Sequence, residues 1–114
     1  MDSKATPEAK RKQYSALEER IYKRVDRFLE DYLNQMDDQT LLIVCSDHGF
    51  KYDKRQHNYP VDGTLLILGK GVRKATTLEA SVYNIAPTIT YALGFAPAKD
   101  FRETPLRQVF EGII

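Results

Sequence analysis

Three features of the amino-acid sequence point to an α/β protein. Two short apolar runs, Leu41-Leu42-Ile43-Val44-Cys45 and Leu65-Leu66-Ile67-Leu68, have the length of strands and are too short for helices of their own. A long stretch before them repeats its apolar residues every three or four positions, and helix-length segments bounded by proline and glycine follow them. Strands interleaved with helices of this kind define the α/β class.

Taken in order, Thr6-Pro7-Glu8 reads as a helix start, with Thr6 as N-cap, Pro7 in the first turn and an acid near the positive helix end. Tyr14, Leu17, Ile21, Val25, Phe28, Leu29, Tyr32, Leu33 and Met36 then mark one face of a single amphipathic helix. On the other face Glu19 and Lys23 stand four residues apart, and Arg20, Arg24 and Arg27 form a basic strip read as a solvated surface. The polar residues Met36 to Gln39 end the helix and deliver Thr40 to Cys45 as the first strand, expected to be buried on both faces. Cys45, the single cysteine, excludes an internal disulfide and is expected to be a small core residue.

The first strand stops at Ser46-Asp47-His48-Gly49-Phe50, where a carboxylate and an imidazole stand at a strand end, the usual place for ligands in open α/β sheets. Gly49 lets the backbone leave strand geometry, so that both side chains can serve one site. Lys51 to Asp62 forms a long loop containing His57, closed by the turn pair Asp62-Gly63. The second strand follows, and Gly69-Lys70-Gly71 turns the chain away without the spacing of a phosphate loop. Asn84 is the expected N-cap of a helix over Ile85 to Leu93 and Gly94 its stop. Thr104-Pro105 announces a short last helix over Leu106 to Phe110.

At 114 residues there is room for one core, and the whole chain is read as a single domain, with residues 1–13 a flexible or helix-start segment. Seventeen basic and sixteen acidic residues give a net charge of +1, which supplies no general field for nucleic acid or an anionic membrane. The sequence holds no signal-peptide apolar region and no bilayer-length apolar run, which fits a cytoplasmic protein. Two strands make a thin sheet. Either the chain pairs with another copy through an exposed sheet edge, or it is one part of a larger sheet.

Asp47, His48 and His57 are the residues suited to metal. Two imidazoles and a carboxylate are a usual zinc ligand set that leaves a position open for water or substrate. A hydrogen-bonded surface pair is the plain alternative for Asp47 and His48.

Ser46-Asp47-His48-Gly49-Phe50 after an apolar strand resembles the metal-binding signature of the alkaline phosphatase superfamily, in its type I phosphodiesterase and nucleotide pyrophosphatase branch. The resemblance extends through His57, Asp62-Gly63-Thr64-Leu65-Leu66-Ile67-Leu68-Gly69-Lys70-Gly71, Ser81-Val82-Tyr83-Asn84-Ile85-Ala86-Pro87-Thr88, Leu93-Gly94 and a closing Lys99-Asp100 with Leu106, about Tyr14 to Phe110. It implies a partial alkaline-phosphatase-like fold: few buried strands, covered by the long N-terminal helix and shorter C-terminal helices. It further implies hydrolysis of phosphate esters with two metal ions, usually zinc, one bound by Asp47 and His48 and the other by His57. The substrate implied is a small phosphate ester or nucleotide.

In that family the nucleophile and the remaining ligands precede the helix with which this sequence begins. Met1 to Gln13 offers Asp2 as its only aspartate and no histidine, and Ser3, Thr6 and Ser15 lack the strand-to-helix context of a nucleophile. The sequence thus resembles the C-terminal portion of such a hydrolase, expected to be inactive alone. A non-catalytic binding or self-associating module is the other reading. Nothing in the residues names the substrate.

Overall fold

The computed structural model describes residues 6–50, 61–74 and 77–112. It is a mixed structure of helices and strands: helix α1 (Pro7–Gln35), strands β1 (Leu41–Cys45) and β2 (Leu65–Gly69), and helix α2 (Ile85–Ala92). Two single 3₁₀ turns, Val82–Asn84 and Arg107–Val109, complete the list among the described residues. The chain divides into two compact units, the helical segment up to Asp37 and the remainder from Asp38.

Helix α1 follows the local signals closely. The Thr6 hydroxyl accepts the amide of Ala9 at 3.2 Å, satisfying one of the amides that no helical carbonyl can reach. Pro7 opens the helix and Met36 caps its end, its amide donating to Leu33 at 3.3 Å. No residue of α1 is buried, and Tyr14, Leu17, Ile21, Val25, Phe28, Tyr32 and Leu33 are exposed. Glu19 and Lys23 close an ion pair of 2.8 Å on the polar face.

In the second unit β1 and β2 are antiparallel, with Leu41 opposite Gly69, Ile43 opposite Ile67 and Cys45 opposite Leu65. Alternate residues therefore share a face. Leu41, Leu65 and Ile67 pack on a small core whose buried apolar residues are Leu106, Val109 and Phe110. The opposite face carries Leu66 and Leu68, both exposed.

The expectation of strands buried on both faces is thus corrected. No β1 residue is buried, and β2 alternates between partly buried and exposed. The cause is that the C-terminal segment covers one face only. Cys45 is likewise exposed, because it lies at the end of β1 beyond that cover.

The segment is held in place by backbone pairing rather than by a helix. Phe110 forms an antiparallel bridge with Val72, Arg73 donates to the Val109 carbonyl at 2.8 Å, and Glu111 donates to Gly71 at 2.7 Å. The last helix expected over Leu106 to Phe110 is only the turn Arg107–Val109, since Phe110 returns to extended backbone to make this bridge.

Helix α2 is tied to the same segment by polar groups. The Asn84 side chain, expected to cap α2, makes no cap bond to it. Instead it accepts the Ser81 amide at 2.8 Å, in a reciprocal capping box around the preceding turn, and donates to the Thr104 carbonyl at 2.9 Å. Gly94 ends α2 as expected: its φ of 79° is left-handed, and the Phe95 amide reaches back to Thr90 at 2.9 Å. No helix among the described residues is long and apolar enough to cross a membrane.

Candidate functional site

The site is built where β1 runs out. Ser46, the next residue, donates its amide to the Thr64 carbonyl at 3.0 Å, and its hydroxyl accepts the Thr64 amide at 2.8 Å. Both backbone groups of Thr64 are thereby satisfied from one residue, which fixes where the chain leaves β1 relative to where it enters β2. The same hydroxyl lies 3.4 Å from the His48 carbonyl, to which it can donate. Below Ser46, the Gly49 amide donates to Val61 at 2.7 Å.

Two glycines make this closeness possible. A Cβ on Gly63 would lie 2.6 Å from the Ser46 carbonyl oxygen, and one on Gly49 would lie 2.5 Å from that of Asp62. Gly63 was expected to serve a turn. Its spatial reason is instead the approach of two backbones, and the same holds for Gly49.

Asp47 and His48, adjacent in the chain, come together at this junction. One Asp47 oxygen, Oδ1, accepts the His48 amide at 3.0 Å, which orients the carboxylate. The other, Oδ2, lies 3.5 Å from His48 Nε2. His48 Nδ1 is 2.7 Å from the Gly49 carbonyl, and a carbonyl only accepts, so Nδ1 carries the hydrogen. His48 Nε2, the other ring nitrogen, is therefore the atom that faces Asp47 Oδ2, and it closes an ion pair with the carboxylate when the ring is protonated.

That geometry has a chemical meaning. Two ligand atoms each about 2.1 Å from a tetrahedral zinc ion stand roughly 3.4 Å apart. The Oδ2–Nε2 separation matches one edge of such a tetrahedron, and the carbonyl bond at Nδ1 is the usual outer support of a metal-binding imidazole. The Asp47 side chain is 85% exposed, so an ion can approach it. His57 lies outside the described residues. Among the described residues no group of three or more His, Cys, Asp or Glu side chains gathers as a ligand set.

Asp47 and His48 open onto a cleft of about 880 Å³, walled on the far side by Leu78 to Val82 and on the near side by Val61 to Leu65. Its polar lining includes Ser46, Asp62, Thr64, Glu79 and Ser81. Cys45 also reaches this cleft, contrary to its expected place in a core. Sequence reasoning placed Ser46 in the strand-end motif and Gly63 in a turn pair, but not the contact between them. The signal for Ser46 was a small hydroxyl residue directly after an apolar strand, but its partner Thr64 is eighteen positions away.

No family model matches this chain, and neither the curated proteins nor the solved structures compared with it give a match.

Proposed function

We propose that this chain is the C-terminal, metal-binding portion of a phosphoric ester hydrolase of the alkaline phosphatase superfamily, resembling type I phosphodiesterases and nucleotide pyrophosphatases, and that it acts in the cytoplasm. The observation that carries the reading is the Asp47–His48 pair at the end of β1. Its two ligand atoms stand 3.5 Å apart, with the imidazole tautomer set by the Gly49 carbonyl. Asp47 and His48 hold one zinc ion and His57 contributes to a second. Bound zinc would supply charge stabilisation for a phosphoryl group in transfer.

The chain's own residues orient and support. Ser46 is committed to the Thr64 backbone and to His48, so it positions the ligand pair and is not the nucleophile. None of the hydroxyl residues Ser3, Thr6 and Ser15 has the strand-to-helix setting of a nucleophile, so the chain is expected to be inactive alone, and small phosphate esters or nucleotides are substrates only of the completed site.

Equilibrium dialysis of the purified chain against zinc tests this. Binding that is lost in Asp47→Asn and in His48→Ala, and reduced in His57→Ala, is the expected result. A chain that retains no zinc at millimolar concentration, or one whose binding ignores all three substitutions, overturns the reading. Chelator-sensitive turnover of a nitrophenyl phosphodiester would overturn the inactivity.

A further inference from the structure

Among the described residues the sheet has two strands, so β2 is paired with β1 on one side only. Along its other side runs a groove of about 510 Å³. The β2 residues form one wall, with Val72, Leu78 and Val109 opposite. An unpaired strand edge beside an apolar groove is a template for one more strand.

The charges at the two ends of this edge differ in sign. At the start of β2, Asp62 and Glu79 line the adjoining cleft. At its end, Arg73 and Lys74 line the groove, and no acid lies among the groove residues. The Arg73 Nε donates to the Phe110 carbonyl at 3.2 Å, which holds the guanidinium there. Lys70, also at this end, is engaged by Asp38 at 3.1 Å.

From this we infer that β2 pairs antiparallel with β2 of a second copy of the chain, about a two-fold axis near Ile67. Antiparallel pairing brings the acidic start of each strand to the basic end of the other, twice by symmetry. A parallel arrangement would set acid against acid and base against base. Two two-stranded ribbons, each marginal alone, become one four-stranded sheet. Leu66 and Leu68, exposed in one copy, extend into a continuous apolar face with their counterparts. The contact is isologous, so on this edge it closes at two copies.

Sedimentation of the full chain across protein concentrations up to roughly 100 µM, a range suited to a contact smaller than a standard interface, tests the pairing. A dimer is expected. Lys74→Glu and Glu79→Lys, both at exposed positions, should each weaken it by roughly tenfold, because each reversal sets like charges at both ends. An equimolar mixture of the two variants should restore association, since each then meets its complement. Circular dichroism of each variant separates lost pairing from lost folding, and the mixture tests pairing again by rescue. A monomer throughout the range, a dimer indifferent to both reversals, or a mixture no tighter than its components would overturn the inference.

Discussion

The hydroxyl of Thr88 joins two parts of the fold that are distant in sequence: it donates to the Asn84 carbonyl at 2.7 Å and accepts the amide of Leu106 at 2.9 Å. Thr88 is completely buried. Water therefore cannot replace either bond, and this one atom adds to the Asn84–Thr104 bond in fastening the segment carrying the core residues Leu106, Val109 and Phe110 to α2.

Thr88→Val keeps the shape of the side chain and removes the oxygen. The Leu106 amide is then left without its buried acceptor. A loss of about 1–3 kcal/mol is expected in urea unfolding, the usual cost of an unsatisfied buried group. Thr88→Ser, which keeps the hydroxyl, should lose less. Equal losses for the two variants would mean that packing and not the hydrogen bonds is responsible.

Gly63→Ala should open the junction of β1 and β2. The added methyl would meet the Ser46 carbonyl at 2.6 Å and its hydroxyl at 2.9 Å, and backbone cannot yield as a flexible side chain can. A cost of about 1–3 kcal/mol, the range of overpacking, is expected together with faster hydrogen exchange at the Ser46 and Thr64 amides. Gly112→Ala, where a new Cβ meets nothing within 4 Å, is the control and should be close to neutral. Unchanged exchange at Thr64 would show that the clamp tolerates the methyl.

The Glu19–Lys23 pair gives α1 a shallow dependence on pH at both extremes. The Lys23 hydrogen bond and charge hold Glu19 below its ordinary value of 4.5, so the contribution is present above that value and lost as pH falls through the lowered one. The Glu19 hydrogen bond and charge hold Lys23 above 10.5, so this contribution is present below 10.5 and lost as pH rises through the raised value. Both side chains are exposed and salt screens them, so the effect is small. Circular dichroism of Glu19→Gln should differ from the native chain between these limits and converge with it at low pH. A difference that persists below pH 2 would assign the effect to something other than charge.

The elements with local causes were legible in the sequence. Thr6, Pro7 and the three- and four-residue apolar spacing placed α1, the apolar runs placed both strands, and Gly94 placed the end of α2. What failed depended on distant partners. Nothing within Leu41 to Cys45 shows that only one face will be covered, because the cover comes from residues more than sixty positions later. Asn84 looked like a helix cap because its neighbours suit one, yet the Thr104 carbonyl and the Ser81 amide draw its side chain elsewhere. For the site, the adjacency of Asp47 and His48 was visible. The tautomer-setting carbonyl of Gly49 and the clamp at Thr64 required coordinates.

Placing the apolar cover of the sheet at Leu106 to Phe110 also constrains how the protein is made. A growing chain releases β1 and β2 from the ribosome well before the residues that close over them. During that interval the face that later packs on Leu106, Val109 and Phe110 lacks this cover, and the apolar side chains of Leu41, Leu65 and Ile67 are available to chaperones or to neighbouring nascent chains. Stable tertiary structure in the second unit is therefore decided only when residues 106–110 have followed both strands out of the ribosome.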